Sequence, residues 1–115
     1  IRYNASDTPT RMGIYPSYHY PQARERYSEL ARSLGAPKDT PEGLITILRK
    51  LSDSIELPVS FKDAGVDRAK FMAALDQMAE DAFDDQCTPA NPRFPLIPEL
   101  KEILINAYDD VTTTE

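Results

Sequence analysis

The sequence predicts an all-α domain, a helical bundle of about four main helices with one short helical turn. Apolar residues recur at three- and four-residue steps in four segments, and no segment alternates as a half-buried strand would. Prolines and glycines stand between these segments, where they would end helices. At 115 residues the chain is the size of one ordinary domain.

The predicted organisation has three parts. Residues 1–20 hold four of the six tyrosines and show no period, which predicts an irregular arm laid across other protein surface. Residues 21–111 form the helical domain. Residues 112–115 are predicted to be a frayed tail.

The first two helices have clear start and stop signals. Pro21 is expected in the first turn of the first helix and Gly35 just after its end. The second helix begins with Thr40 as its cap and ends before Pro58. It has the broadest apolar face in the chain, formed by Leu44, Ile45, Ile47, Leu48, Leu51 and Ile55. We therefore expect this helix to be the centre of the core and Leu48 to be buried.

The second half of the chain continues the pattern. Residues 60–65 predict one short turn with Ser60 as its cap and Gly65 as its left-handed stop. Asp67 is expected to cap a third helix with a stripe formed by Phe71, Leu75, Met78 and Ala82. A last helix follows residues 94–98, with its apolar face formed by Leu100, Ile103, Leu104, Ala107 and Tyr108.

The composition limits which kinds of partner this chain is expected to bind and in which cellular compartment it is expected to function. A net charge of −6 argues against nucleic acid, because binding to a phosphate backbone depends on Lys and Arg. No apolar run is long enough to cross a membrane. A single cysteine excludes an internal disulfide and favours a reduced, cytoplasmic setting. The Asn4 sequon is expected to be unmodified, and the start at Ile1 indicates a processed product or an excised fragment.

The residues offer little catalytic chemistry of their own. Cys87 and His19 are the only cysteine and histidine, too few for a zinc cage, and a nucleophilic pair would depend on a histidine in the irregular arm. We expect His19 to be a surface or packed residue. No glycine spacing matches a phosphate-binding loop. The sequence alone therefore predicts a helical domain without a self-sufficient active site.

The segment at residues 84–93 separates the last two helices and is stiffened by Pro89 and Pro92. Asp84 and Asp85 end a helix, where the dipole disfavours negative charge, so we expect Arg93 or a lysine to compensate them. Residues 81–97 resemble the carboxy-terminal signature of iron-dependent alcohol dehydrogenases, specifically the bifunctional aldehyde-alcohol dehydrogenases of fermentative microbes. Residues 1–5, 21–27 and 57–66 resemble other segments of this family, in the family's order.

The resemblance implies a part of a larger enzyme. Such an enzyme reduces acetyl-CoA through acetaldehyde to ethanol, using NADH and iron(II). The all-helical part follows a nucleotide-binding domain, which would be the partner of this chain. The metal ligands and the nucleotide site would precede Ile1, so no catalytic, cofactor-binding or metal-binding residue is expected here. Relatives assemble into helical filaments, and we expect the isolated chain to self-associate through its uncovered face.

The resemblance also implies a place for the segment at residues 84–93. In relatives this segment lies against the substrate cleft, which makes Cys87, Thr88 and Asn91 candidates for the wall of a substrate pocket. The alternative prediction is that Cys87 is a small buried filler beneath the loop. For the whole chain, the alternative is a freestanding acidic helical module that binds another protein. The coding sequence upstream of Ile1 would distinguish these two functions.

Overall fold

The computed structural model describes residues 1–6 and 22–109, and within these ranges the chain is helical with no strand. The predicted all-α class is confirmed. The described elements are α1 (Arg2–Ala5), α2 (Ala23–Ser33), α3 (Pro41–Ser54), α4 (Arg68–Asp84), a 3-10 turn (Thr88–Ala90) and α5 (Ile97–Asp109).

The predicted side-chain caps are confirmed. The Thr40 hydroxyl accepts a hydrogen bond from the Gly43 amide at 3.0 Å, and the Asp67 carboxylate accepts one from the Lys70 amide at 2.9 Å. Ser60 does the same for the short turn that follows α3. Each bond satisfies an amide that has no partner inside its own helix, which fixes the start of the element.

The predicted glycine stops are confirmed as well. Gly35 follows α2 with φ of +71°, and Gly65 closes the short turn with φ of +86°. Glu56 holds the equivalent position after α3 with φ of +60°, although it carries a side chain. Its amide donates to Asp53 O, and the Leu57 amide donates to Ser52 O, which is the Schellman pattern of a helix C-terminus.

Expectations about the two ends of the chain need correction or stay open. Residues 2–5 form a helical turn, so this part of the predicted arm is not irregular. The rest of the arm, the predicted first-turn Pro21 and the predicted tail at residues 112–115 lie outside the described residues. Helix α2 begins at Ala23 with Gln22 as its N-cap.

The apolar core lies between α4 and α5. Phe71, Leu75 and Tyr108 are buried together, and Met78, Leu104 and Ile105 pack against them. The Phe71 ring lies 4.9 Å from the Tyr108 ring and 5.4 Å from the Phe61 ring, distances typical of favourable aromatic pairs. The Tyr108 hydroxyl donates to the Val66 carbonyl at 2.8 Å, so its polar end is satisfied. The stripe predicted on the third helix is thus confirmed as a core face.

The expectation that α3 is the centre of the core is wrong. Leu48, Leu51 and Ile55 are 39%, 57% and 58% exposed. The buried residues of α3 all lie in its first turn, and the buried residues of α2, the helix that α3 packs against, are the small Ala23 and Ala31. Periodicity shows that a helix has an apolar face, but it does not show whether another element of the same chain covers that face.

The helices form two pairs. Helix α2 packs against α3, and α4 packs against α5; α1 packs against α2 and α3. The short turn joins the second pair through hydrogen bonds from the Phe61 and Lys62 amides to Ala107 O and Tyr108 O. In the part of the chain that is described, no helix is both long and apolar enough to cross a membrane.

Candidate functional site

An open groove of about 1290 Å³ lies between the two helix pairs. One wall is α3, with Ile45 and Leu48, and the opposite wall is α5, with Leu100 and Ile103. Helix α1 and residues 87–93 also border it. The groove thus brings together the start of the chain, the apolar face of α3 and the segment that the sequence singled out.

The first half of that segment is fastened to the end of α4. The Thr88 hydroxyl donates to Ala82 O, inside the last turn of α4. The Cys87 amide donates to an Asp85 carboxylate oxygen at 2.7 Å. This bond places a backbone donor against the negative charge of Asp85, which the dipole at the end of α4 disfavours. The Ala90 amide then donates to Cys87 O at 3.0 Å and closes the 3-10 turn that contains Pro89.

The second half is fastened to α1 by a reciprocal pair of amides. Asn4 Nδ2 donates to Asn91 Oδ1 at 3.0 Å, and Asn91 Nδ2 donates to Asn4 Oδ1 at 2.7 Å. The remaining donor hydrogens go to the Tyr27 hydroxyl, from Asn4, and to Arg93 O, from Asn91. The Asn4 amide is therefore fully used in contacts within the protein, and the expectation that its sequon is unmodified stays a prediction.

Arg93 completes the attachment to α1. It is only 4% exposed, and its Nη1 donates to Tyr3 O at 3.2 Å and to Ser6 O at 3.3 Å. Its guanidinium carbon lies 4.3 Å above the centre of the Tyr3 ring, which adds a cation–π contact. Burial raises the pKa of Tyr3, and the Arg93 charge opposes that rise. The Tyr3 hydroxyl donates to Phe94 O at 3.2 Å, so it is tied to the same segment.

Glu99 holds the start of α5 beside the groove. Its Oε1 accepts a hydrogen bond from the Leu96 amide at 3.1 Å, as in a capping box. The residue is buried, and its Oε2 has no hydrogen-bond partner among the described residues. Pro98 lies in the same first turn, where its missing backbone donor would have had no partner inside the helix.

The three predicted wall residues all border the groove, but their side chains differ in what they can do there. Cys87 is exposed, with a free thiol. The alternative prediction, that Cys87 is a buried filler, is therefore wrong. Thr88 and Asn91 are half-buried and use their side chains to hold the loop. Cys87 is thus the member of this set whose side chain can contact a ligand without breaking an internal hydrogen bond.

The described residues do not fit an iron site. Nowhere in residues 1–6 and 22–109 do three or more His, Cys, Asp or Glu side chains come together as metal ligands. Of the carboxylates that border the groove, Glu99 already serves as a helix cap. His19 lies outside the described residues, so its predicted role as a surface or packed residue stays a prediction.

Sequence reasoning did not select Tyr3 or Asn4 as part of the site. Their contacts with residues 91–94 join positions about ninety places apart in the sequence, as the separation of 87 for Asn4 and Asn91 illustrates. No local pattern signals such a contact. The buried Arg93 carried a weak signal, because an arginine between two prolines in an acidic loop needs a partner.

Comparison with known proteins identifies the relatives. Residues 1–108 match the family model described as the Fe-containing alcohol dehydrogenase family, C-terminal. The bifunctional aldehyde-alcohol dehydrogenase AdhE of Escherichia coli K12 is 50% identical over 114 residues, which are 94% of this chain and 13% of the relative. The aldehyde-alcohol dehydrogenase of Clostridium acetobutylicum is 41% identical over 112 residues, with the same coverage of both chains.

More distant relatives are shorter proteins. An alcohol dehydrogenase of Thermococcus barophilus is 35% identical over 88 residues, which are 76% of this chain and 22% of that protein. The chain therefore spans about an eighth of the length of its bifunctional relatives and less than a quarter of this one. The predicted resemblance is confirmed: the chain belongs to the Fe-containing alcohol dehydrogenase family and matches its C-terminal region.

Proposed function

We propose that this chain is the C-terminal helical part of the alcohol dehydrogenase half of a bifunctional aldehyde-alcohol dehydrogenase. The complete enzyme would reduce acetyl-CoA through acetaldehyde to ethanol with NADH in the cytoplasm, and iron(II) would serve the alcohol dehydrogenase half. The observation that carries the proposal is the 50% identity to such an enzyme over 94% of the chain.

The contribution of this chain would be one wall of the substrate pocket. Cys87 would contact the substrate, while Thr88 and Asn91 would keep the loop in place. The exposed Cys87 thiol at the border of a partly apolar groove supports this division of roles. Because the chain has one histidine and one cysteine, iron and the nicotinamide cofactor would be held by other residues of the complete enzyme. The isolated chain would then be inactive.

Turnover measurements test the proposal. The full-length protein, supplied with iron(II), NADH and acetaldehyde, should oxidise NADH, and with acetyl-CoA it should form ethanol. The 115-residue chain under the same conditions should not. Absence of turnover by the full-length protein with both substrates would contradict the proposed reaction, whereas turnover by the isolated chain would contradict the division of the site.

Substitution of Cys87 tests its role as a wall. Cys87→Ala in the full-length enzyme should change the kcat/KM ratio between acetaldehyde and a longer aldehyde by roughly tenfold, because pocket size discriminates on that scale. Cys87→Ser, which keeps the volume, is the matched control and should leave the ratio nearly unchanged. Loss of all activity with iron still bound would show that Cys87 does more than shape the pocket.

The uncovered apolar face of the first helix pair would be the contact with the upstream nucleotide-binding domain. Leu48, Leu51 and Ile55 on α3 continue into the exposed Leu57 and Val59, and such a contiguous patch is typical of an interaction surface. The isolated chain would self-associate through this patch. Sedimentation of the chain over a range of concentrations should show association, and Leu51→Glu should weaken it. A monomer at all concentrations would contradict this proposal.

A further inference from the structure

The loop at residues 85–91 is built as one small rigid body. Three backbone hydrogen bonds close it internally, from Thr88 N to Asp85 O at 3.1 Å and from Ala90 N to Cys87 O and Asn91 N to Thr88 O at 3.0 Å each. Pro89 removes one soft torsion from its centre. The contacts that hold the two ends of this loop therefore also determine where the Cys87 thiol lies at the border of the groove.

The end of the loop near Cys87 is fixed to the last turn of α4, through the bonds from the Thr88 hydroxyl and the Asp85 amide to Ala82 O. A body held at one end can still tilt. The other end is held at α1 by Asn4, through the reciprocal amide pair with Asn91, and just beyond the loop by the contacts of Arg93. Asn4 is itself held from the far side by the Tyr27 hydroxyl of α2, at 3.1 Å.

The chemistry of this contact requires an amide at both positions. Each of the two side chains donates to the other and accepts from it, and each uses its second donor hydrogen on another group, Tyr27 or Arg93 O. A carboxylate at position 4 would place oxygen against Asn91 Oδ1 with no proton between them, and an apolar residue would leave the half-buried Asn91 amide without its partner.

We propose that Asn4 is a positioning residue for the substrate loop: through Asn91 it sets where Cys87 stands at the groove. The effect on the reaction rests on the proposed function, in which Cys87 contacts the aldehyde or alcohol. Asn4 touches no substrate, and its influence passes through the tilt of residues 85–91. Because small misplacements in a site reduce rates strongly, losing this contact changes substrate fit.

Hydrogen exchange in the full-length protein tests the positioning by itself. In Asn4→Leu, the amides of Cys87, Thr88, Ala90 and Asn91 should exchange roughly tenfold faster, while those of residues 68–84 should not change. Asn106→Leu is the matched control, since Asn106 borders the same groove from α5, and it should leave the loop unchanged. Unchanged exchange in the loop, or equal acceleration in the loop and in α4, would overturn the proposal.

A second single variant and a double variant test whether Asn4 acts on the loop through Asn91. Asn4→Ser keeps a polar group but cannot reach Asn91, so it should loosen the same amides. Asn4→Leu combined with Asn91→Leu should exchange no faster in the loop than Asn91→Leu alone, because that single variant has already lost the contact with Asn4. Additive effects would show that the two side chains act separately and would overturn the proposal.

Kinetic measurements distinguish the positioning role of Asn4 from the proposed role of the loop as a substrate wall. In the full-length enzyme, Asn4→Leu should change the preference between short and long aldehydes by roughly tenfold and leave the KM for NADH unchanged. Local loosening together with this change supports both proposals. Local loosening without any change in preference supports the positioning but contradicts the loop as a substrate wall.

Discussion

The two helix pairs are built from the same kind of amphipathic helix, yet they are stabilised in different ways. The pair α4 and α5 buries large side chains, with Phe71, Leu75 and Tyr108 at its centre. In the pair α2 and α3 the buried residues are mostly small, and Leu48 and Leu51 of α3 stay exposed. One pair has its own core, whereas the other presents an apolar face for something else to cover.

Leucine truncation should give the largest difference between the two pairs. Leu75→Ala removes a side chain that is 6% exposed and should lower the free energy of unfolding by about 2–5 kcal/mol. Leu51→Ala, the same change at 57% exposure, should cost about 0.5 kcal/mol or less. Urea denaturation of the 115-residue chain, at concentrations where sedimentation shows a monomer, measures both, and equal costs would show that the α3 face is covered within the single chain.

Adding a methyl group at Gly43 should show how much the stability of the chain depends on the close contact between the start of α3 and the backbone of Lys38. A Cβ at this position would overlap the carbonyl oxygen of Lys38, and that backbone atom cannot move aside as a flexible side chain would. Gly43→Ala should therefore lower the free energy of unfolding by about 1–3 kcal/mol. The same denaturation experiment measures it, and an unchanged stability would mean that residues 37–40 can shift without cost.

Introducing a glycine at one helix end of the first pair and removing a glycine at the other should have opposite effects on the free energy of unfolding. Glu56 adopts the left-handed conformation without being glycine, so Glu56→Gly should stabilise the chain by about 1 kcal/mol. Gly35 adopts the same conformation after α2 with open space around it, so Gly35→Ala should destabilise by a similar amount. Shifts of the same sign in the two variants would contradict this account of the helix ends.

The smallest effect is expected from the exposed ion pair between α2 and α3. The Glu42 backbone amide holds the pKa of Glu42 below its ordinary value of 4.5; burial opposes this effect, and the nearby Arg24 adds to it. A carboxyl with a lowered pKa stabilises fully above pH 4.5, and the contribution is lost as the pH falls through the lowered pKa. Glu42→Gln should therefore flatten the acid limb of the stability curve by about 0.3 kcal/mol. Parallel curves for the two proteins would contradict the prediction.

Local signals predicted the helices well because their causes are local. The caps at Thr40 and Asp67 and the stops at Gly35 and Gly65 each depend on atoms within a few residues. The family resemblance at residues 81–97 was also a property of the sequence, and residues 1–108 match that family.

The candidate site was predicted only in part. Cys87, Thr88 and Asn91 were selected by resemblance, and all three border the groove. Their separate tasks were not predictable, since the bond from Thr88 to Ala82 O and the pairing of Asn91 with Asn4 appear only when the chain is folded. The burial of Arg93 against Tyr3 has the same origin.

The sequence by itself determined where the helices begin and end, the all-α class and the family, because spacing, capping chemistry and residue identity are written along the chain. Tertiary structure decided which apolar face became the core and how the loop at residues 85–91 is held between α4 and Asn4. The physical reason is that burial and hydrogen bonding depend on the partner as well as on the residue, and the pair of Asn4 and Asn91 joins positions 87 residues apart.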